Sequence, residues 1–331
     1  MGIFDKKEKW GNFSGNINIY DNLKHSDIPK LIAEENIHSL QFLQFTDPKK
    51  KTWEVLNEFY EKHPEIGLRL VWYDQVNFDF YSQLPSLRNF DISSFNTSDY
   101  TPLLKNKELT DLGIGETKST TVDLSFIREF TKLTTLYIDG MKKGLDNASE
   151  LSKLERLTFR GVKMNNLDLI NNLENLTQLR LLFGSYKNLD AIANAKSIRT
   201  LEISRTRQIP NYDFLKSMDN LNSLYFEGMS KMEKLPDLKG LTNLKRIQID
   251  NNSGLTDIKN INQLPNLEIF LLFFPENFKA AYRKELFKQA IDFLLNSKTV
   301  KFTNLFFWID DQTKKKLESK GIKKWDYGMN M

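Results

Sequence analysis

The amino-acid sequence predicts an α/β solenoid, in which short repeated units stack along one parallel β-sheet and share one core. The first observation is a repeated phrase: LYIDGM at 136–141 returns as LYFEGM at 224–229, 88 residues later. The second is that three related phrases lie between them, LTFRGV at 157–162, LRLLFG at 179–184 and LEISRT at 201–206. The separation therefore equals four steps of 22 residues, and a fixed period of this length is the signature of a repeat architecture.

Each unit contains an LxxLxL pattern whose register can be followed along the chain. Its first apolar position recurs at intervals of 21 to 24 residues, at Leu87, Leu109, Leu133, Leu154, Leu176, Ile198, Leu221, Leu244 and Leu267. The alternation in LxL predicts a short strand whose leucines face one side and whose intervening residues face the other. Degenerate copies around Leu40 and Leu70 bring the prediction to about 9 to 11 repeats.

The segment after each strand has a different period. Apolar residues recur every third position, for example at Leu255, Ile258, Ile261 and Leu264. A period of three suits tight 3₁₀-like or extended turns that run back along the far side. Since no single unit can bury its leucines, stacked units must share a continuous core.

This pattern resembles the leucine-rich repeat family. The 22-residue unit, as in LTDIKNINQLPNL at 255–267, is similar to the internalin-like and phosphatase-regulator-like subclass, in its cytoplasmic bacterial type. The resemblance covers residues 37–275. It implies a curved solenoid with the parallel β-sheet on its concave face and the 3₁₀ or extended turns on its convex face. It also implies a concave face of the kind that usually binds proteins.

One column departs from the family pattern. The family has an asparagine three residues after the LxL strand, where its amide bridges neighbouring turns, and here only Asn252 occupies that position. Gly-Met or Gly-Val pairs replace it at 140–141, 161–162 and 228–229. We interpret these pairs as a conformationally permissive glycine followed by an apolar plug.

The two ends of the chain are predicted to cap the solenoid, because an open end would expose the leucine core. Residues 1–36 form the N-terminal cap, with a strand at 16–20 and a short helix entered at Ser26. Residues 276–331, which hold 12 basic and 7 acidic residues, form a basic α/β C-terminal cap. Within it we expect a strand over 301–309, a helix from Asp310 or Asp311 to Gly321, and one more helix with an apolar stripe. The stripe consists of Phe278, Tyr282, Leu286, Ala290 and Leu294.

The last repeat strand has apolar residues at positions that are polar elsewhere, Ile269, Leu271 and Phe273. Such a patch requires a cover. The helix stripe from Phe278 is the nearest candidate, and the alternative is that the patch is a partner or dimer surface.

Composition limits the functional classes. The chain has no cysteine, no apolar segment typical of a signal peptide and no apolar run longer than IFLLFF at 269–274, so we expect a cytoplasmic protein that does not enter a membrane. The three histidines have unrelated spacing, and GIGETKS at 113–119 lacks the glycine that precedes the lysine of a phosphate loop. We therefore expect no catalytic residues, no metal site and no cofactor, and a protein that is not an enzyme.

The outward positions of seven predicted strands indicate a binding surface. These strands belong to the repeats whose first apolar residues run from Leu109 to Leu244. These 21 positions contain no lysine and four arginines, although the chain has 36 lysines and only 11 arginines. Arginine and tyrosine are typical of protein interfaces, whereas lysine is depleted there. The predicted partner-binding residues are Tyr137, Arg156, Arg160, Arg180, Phe183, Glu202, Arg205, Tyr225, Glu227 and Arg246.

The leading functional hypothesis is a monomeric, non-enzymatic module that grips a protein partner in the concave face. By analogy it could be a regulator or an immunity-type inhibitor of that partner. The alternative is nucleic-acid binding through the basic C-terminal cap, where Trp308, Trp325 and the lysines at 314–316 combine aromatic and positive side chains. The small net charge of +4 and the mixed charges of the concave positions disfavour this alternative.

Overall fold

The computed structural model describes residues 8–43, 45–119, 121–276 and 280–326, with the backbone alone at 281 and 282. The chain divides into two compact units, Met1–Arg156 and Leu157–Met331. In both units short strands alternate with 3₁₀ helices. This arrangement confirms the predicted solenoid of parallel strands and 3₁₀ turns.

The first unit begins with an antiparallel hairpin of β1 (Trp10–Phe13) and β2 (Asn16–Ile19). From β2 onward the strands pair in parallel and in sequence order, through β3 (Ser39–Phe42), β4 (Gly67–Trp72), β5 (Asn89–Ser94), β6 (Asp111–Ile114) and β7 (Thr135–Asp139). The 3₁₀ helices of this unit are His25–Asp27, Phe78–Gln83, Thr101–Lys105, Ser125–Glu129 and Leu145–Glu150. Its α-helices are α1 (Ile28–Ile32) and α2 (Lys50–Lys62).

Two elements of the first unit were not predicted from the sequence. The strand β1 pairs with the predicted strand β2, and α2 lies between β3 and β4, where most of the other repeats have a 3₁₀ helix. The residues of α2 that enter the core include Trp53, Leu56 and Tyr60. This spacing of three and four residues is that of an amphipathic α-helix, so this repeat folds with a helix in place of a 3₁₀ turn.

The second unit contains the remaining strands. Its elements are β8 (Arg156–Arg160, whose first residue ends the first unit), β9 (Lys163–Met164), β10 (Gln178–Leu182), β11 (Ser185–Tyr186), β12 (Thr200–Ser204), β13 (Ser223–Glu227), β14 (Arg246–Asp250), β15 (Ile269–Phe273), α3 (Ala280–Asn296), β16 (Phe302–Thr303), α4 (Asp311–Ser319) and β17 (Lys323–Lys324). Its 3₁₀ helices are Asp168–Asn172, Asp190–Asn194, Asp213–Ser217, Lys259–Gln263 and Leu305–Phe307. The strands from β10 through β12 to β17 form a parallel sheet, and β9 and β11 form a separate parallel pair.

The LxL residues form the core as predicted. Leu179 and Leu181 of β10, for example, are fully buried, while the residues between them point to the opposite side of the sheet. We call the side of the sheet that carries these intervening residues the open face.

The single asparagine of the family column has the expected role. The Asn252 Oδ1 atom accepts a hydrogen bond from the backbone N–H of Met229 at 2.5 Å, and its Nδ2 donates to the carbonyl oxygen of Phe226 at 3.3 Å. Asn304, in the C-terminal segment, bridges Leu272 in the same manner at 3.0 and 2.9 Å. In another repeat the hydroxyl of Thr206 donates to the carbonyl oxygen of Leu181 at 2.8 Å.

The apolar patch on β15 is covered, although the predicted cover was wrong. Ile269 and Leu271 pack against Trp325, with Phe302 and Phe273 at the edge of the cluster. The helix α3 packs instead on the 3₁₀ helix Lys259–Gln263. There the Phe293 ring meets the core residue Phe270 edge-on at 5.5 Å. The cap therefore covers the last repeat on both sides of the sheet.

The other predictions for the cap had mixed outcomes. The strand expected over 301–309 is limited to β16 and is followed by the 3₁₀ helix Leu305–Phe307. The helix α4 begins as predicted, because the Asp310 side chain accepts from the backbone N–H of Thr313 at 2.8 Å, and Gly321 follows its end at φ +81°. Phe278 and the Tyr282 side chain, two members of the stripe, lie outside the described residues. The cap boundaries at 36/37 and 275/276 stay predictions.

Candidate functional site

Three predicted binding residues lie side by side on the open face of the second unit. Arg180 of β10 is opposite Glu202 of β12, and Glu202 is opposite Tyr225 of β13. Because adjacent strands of a sheet are about 4.8 Å apart, the three side chains form a continuous row. This register is the one that the sequence predicted.

The first two members of this row form an ion pair. Arg180 Nε donates to Glu202 Oε2 at 2.6 Å. The Arg180 side chain remains 41% exposed, whereas that of Glu202 is 14% exposed. The carboxylate therefore holds the guanidinium in place while the guanidinium still faces solvent.

Tyr225 joins the row to two carboxylates. Its hydroxyl lies 3.3 Å from Glu227 Oε2 and 3.3 Å from Asp250 Oδ2. Burial and the neighbouring carboxylates raise the pKa of Tyr225 above its usual value, so the hydroxyl stays protonated and donates. Burial also raises the pKa of Asp250, and the negative charge of Glu227 acts in the same direction. Asp250 was not among the predicted site residues, although it occupies the same strand position as Glu227.

A second group of predicted residues surrounds Phe183, directly after β10. The Phe183 ring is 47% exposed. The guanidinium carbon of Arg160 lies 5.1 Å from the ring centre and that of Arg205 lies 5.3 Å from it, which is within cation–π range. Arg205 also donates from Nε to Glu227 Oε1 at 3.2 Å, and its Nη2 lies 3.1 Å from the same oxygen. Glu227 therefore connects the Phe183 group to Tyr225.

Arg246 is in the predicted set but has a different environment. Its guanidinium carbon lies 5.1 Å from the centre of the Trp325 ring, and its Nη2 donates to Gln248 Oε1 at 3.1 Å. Burial lowers the pKa of Arg246 from its usual value. The cap thus packs on this arginine.

The two remaining predicted residues belong to the first unit. Arg156 Nη2 donates to Thr135 Oγ1 at 2.7 Å and lies 3.4 Å from Asp111 Oδ1. Tyr137 lines a cavity of about 400 Å³ on the open face of that unit, together with Arg69 and Asp91. Within the second unit, the structure brings together Arg160, Arg180, Phe183, Glu202, Arg205, Tyr225 and Glu227, whereas Arg246 contacts the cap.

Among the described residues, no three or more His, Asp or Glu side chains are arranged to hold a metal ion. No helix in the same part of the chain has the length and apolar character needed to span a membrane. Gly113 lies in β6, where a Cβ atom would come within 2.3 Å of Asp91 Oδ2, so this glycine is a strand residue as predicted.

The chain was compared with known proteins and solved structures. No protein-family model matches the chain, and no curated protein matches it. Among solved structures it is similar to the internalin InlF from Listeria monocytogenes, with a TM-score of 0.51 and 16% identity over 89% of this chain and 82% of that one. A leucine-rich repeat protein from Leptospira interrogans is similar with a TM-score of 0.48 and 17% identity, over 81% of this chain and 73% of that one. The fold is thus that of leucine-rich repeat proteins.

Proposed function

We propose that the protein is a non-enzymatic binding module that holds a protein partner against the open face of its second unit. The observation that carries the proposal is the row Arg180, Glu202 and Tyr225, because ordered arginine and tyrosine side chains on adjacent rigid strands are the residue types of interface hot spots. Phe183 adds an exposed aromatic ring at the edge of the row.

The charges of this face support a protein partner. Arg180 and Arg205 alternate with Glu202, Glu227 and Asp250 in ion pairs and hydrogen bonds. A polyanion would be repelled by the three carboxylates, whereas a protein surface can match both signs. Partner recognition would then depend more on the arrangement of the charges on the open face than on its net charge.

We extend the proposal to a regulator or immunity-type inhibitor, which would act by covering the surface of its partner. The absence of cysteine from the sequence supports a reducing, cytoplasmic setting. Burial of Ile269 and Leu271 under Trp325 supports a monomer, because the apolar patch that a dimer could use is already covered.

The test is affinity capture from the lysate of the native host, with a triple variant. This variant combines Arg180→Ala, Glu202→Ala and Tyr225→Ala. Because both members of the Arg180–Glu202 ion pair are removed, neither charge is left without its partner. We expect a melting temperature within a few degrees of wild type and loss of the captured protein. The matched control is Lys314→Ala, Lys315→Ala and Lys316→Ala on α4, which should keep the captured protein. Full retention by the folded open-face variant would refute the proposal.

A second candidate function has its own observation. Phe307 and Trp308 of the cap are 57% and 50% exposed, and the Lys324 ammonium lies 4.0 Å from the centre of the Phe307 ring. Exposed aromatic rings beside cations can stack on the bases of single-stranded nucleic acid. Trp325, however, is only 3% exposed, so one of the aromatic residues named from the sequence is unavailable for stacking. Binding through the cap should weaken steeply with salt, and the α4 triple variant should reduce it.

A further inference from the structure

One backbone position recurs in a left-handed conformation along the repeats. The residue directly after the strand has a positive φ in six consecutive repeats, at Gly140 (76°), Gly161 (65°), Phe183 (55°), Arg205 (47°), Gly228 (61°) and Asn251 (53°). Glycine adopts this conformation freely and asparagine tolerates it, whereas other side chains are disfavoured. Phe183 and Arg205 are therefore the two of these six residues whose positive φ is not explained by the preference of the residue type.

These two residues are neighbours on the surface and carry exposed side chains. Phe183 and Arg205 follow β10 and β12, which are adjacent strands, and the Arg205 guanidinium carbon lies 5.3 Å from the centre of the Phe183 ring. Neither side chain fills the core, so packing of the leucines does not require them. Strained residues of this kind are concentrated at functional sites.

The surroundings of Phe183 are basic. Arg160 contacts its ring from the preceding repeat. The backbone of Ser185, two residues further on, pairs with Lys163 on one side and with Arg207 on the other, and both of these basic residues are exposed. Glu227 is the carboxylate that pairs with Arg205. A guanidinium has five N–H donors, so Arg205 can donate to a second carboxylate while it holds Glu227.

We propose that Phe183, Arg160 and Arg205 form the primary contact for an acidic segment of the protein partner. Its carboxylates would bind the guanidinium groups, and an aromatic side chain next to them would pack on the exposed Phe183 ring. The inference rests on the proposed function and assigns the chemistry of the partner at that site. A nucleic acid fits less well, because Glu227 of β13 and Asp250 of β14, on the side of Arg205 away from Phe183, would repel a continuous chain of phosphates, whereas a short acidic segment can end before them.

A glycine in the next repeat provides a matched pair of variants. A Cβ atom on Gly228 would lie 2.6 Å from Cγ of Arg205, whereas a Cβ atom on Gly140 would have no heavy atom within 4 Å. Both glycines have positive φ. Gly228→Ala and Gly140→Ala therefore introduce the same backbone strain, but only Gly228→Ala displaces the Arg205 side chain.

The experiment measures the binding of fluorescein-labelled 12-residue peptides to the full chain by fluorescence anisotropy. The probe peptide alternates Glu and Phe between Gly-Ser spacers. One control peptide has Gln for Glu, a second has Ser for Phe, and a 12-nucleotide oligothymidylate is the nucleic-acid control. We expect the wild-type protein to bind the probe at least about tenfold more tightly than each control.

The variants then locate the site. Phe183→Asn introduces the residue type found naturally at Asn251, so it should fold as well as wild type and weaken probe binding by about tenfold or more. Gly228→Ala should weaken it similarly, and Gly140→Ala should leave it unchanged while lowering the melting temperature to a similar extent.

Several results would overturn the inference: no binding of the probe to wild type, equal binding of the Gln peptide, tighter binding of oligothymidylate, or an unchanged affinity of Phe183→Asn. The proposed function has a separate outcome. If Phe183→Asn still captures the native partner while the Arg180, Glu202 and Tyr225 triple variant does not, the open face binds protein and the acidic contact is wrong.

Discussion

The guanidinium carbon of Arg246 lies 5.1 Å from the centre of the Trp325 ring. The same ring packs on Ile269 and Leu271 of the last repeat strand. Trp325 thus covers the apolar end of the open face. It also packs on Arg246, which the sequence predicted to bind the partner. Arg246 contacts the cap, and the partner surface that we propose is centred nearer to β10, β12 and β13.

Truncation of Trp325 should destabilise the protein. Trp325→Ala would expose Ile269 and Leu271 and leave a cavity, so we expect the free energy of unfolding to fall by about 3 kcal/mol. Chemical denaturation monitored by circular dichroism measures the change. The control is Trp308→Ala, which removes a half-exposed ring of the same cap and should have a much smaller effect. Equal losses in the two variants would contradict the assigned cover.

Asn252 should be more sensitive to substitution than an exposed asparagine of the repeats. Asn252→Ala removes two buried hydrogen bonds and leaves the N–H of Met229 without its acceptor. We expect a loss of about 2 kcal/mol in the free energy of unfolding. Asn262, an exposed asparagine that donates to Lys259 in its own turn, is the control. If Asn262→Ala lowers the free energy of unfolding as much as Asn252→Ala, the hydrogen bonds of Asn252 between turns do not contribute specifically to stability.

Asp250 should make the stability of the protein depend on pH in the acid range. Its pKa is raised in the folded protein from 3.8, chiefly by burial, so the folded state holds this proton more tightly than the unfolded state. The stabilising contribution is complete below pH 3.8 and is lost as the pH rises through the folded pKa. Asp250→Asn cannot ionise, so its stability relative to wild type should increase as the pH rises from that range toward neutrality. Urea denaturation of both proteins across this interval measures the difference, and a decreasing difference would refute the assignment.

Tyr60 carries a hydroxyl whose loss should not be harmful. The residue is fully buried, and within the described part of the chain its hydroxyl has no hydrogen-bond partner. Tyr60→Phe removes an unsatisfied polar atom, so we expect the free energy of unfolding to rise by about 1 kcal/mol. Tyr73→Phe, at an exposed position, should be neutral. Destabilisation by Tyr60→Phe would indicate that a water molecule satisfies the hydroxyl in solution.

The repeats could be predicted from the sequence because each turn contains the same local information. Burial of Leu179 and Leu181 follows from strand alternation alone, and the alignment of Arg180 with Glu202 follows from the constant spacing of the repeats. The ends lack this redundancy. Phe302 and Trp325 pack against the cluster of Ile269 and Leu271, but Phe302 follows Ile269 by 33 residues, a step that departs from the period of the repeats.

The candidate site could be predicted only in part. Positions of the outward residues were available from the register, but their interactions depend on rotamers and backbone conformation. The φ values of Phe183 and Arg205 became interpretable only when compared with the glycines at the same place in other repeats. Alignment of the Gly-Met and Gly-Val pairs was the signal that could have identified this row earlier.

The left-handed row also limits how this fold can change. A Cβ atom at Gly140 would meet no heavy atom within 4 Å, and the three atoms nearest to a Cβ atom at Gly228 belong to Arg205 and not to a core leucine. Each such replacement would cost about 1–2 kcal/mol, and a folded domain has only about 5–15 kcal/mol of stability in total. New specificity can therefore be added one repeat at a time, but few repeats can carry such a side chain before compensating mutations elsewhere become necessary.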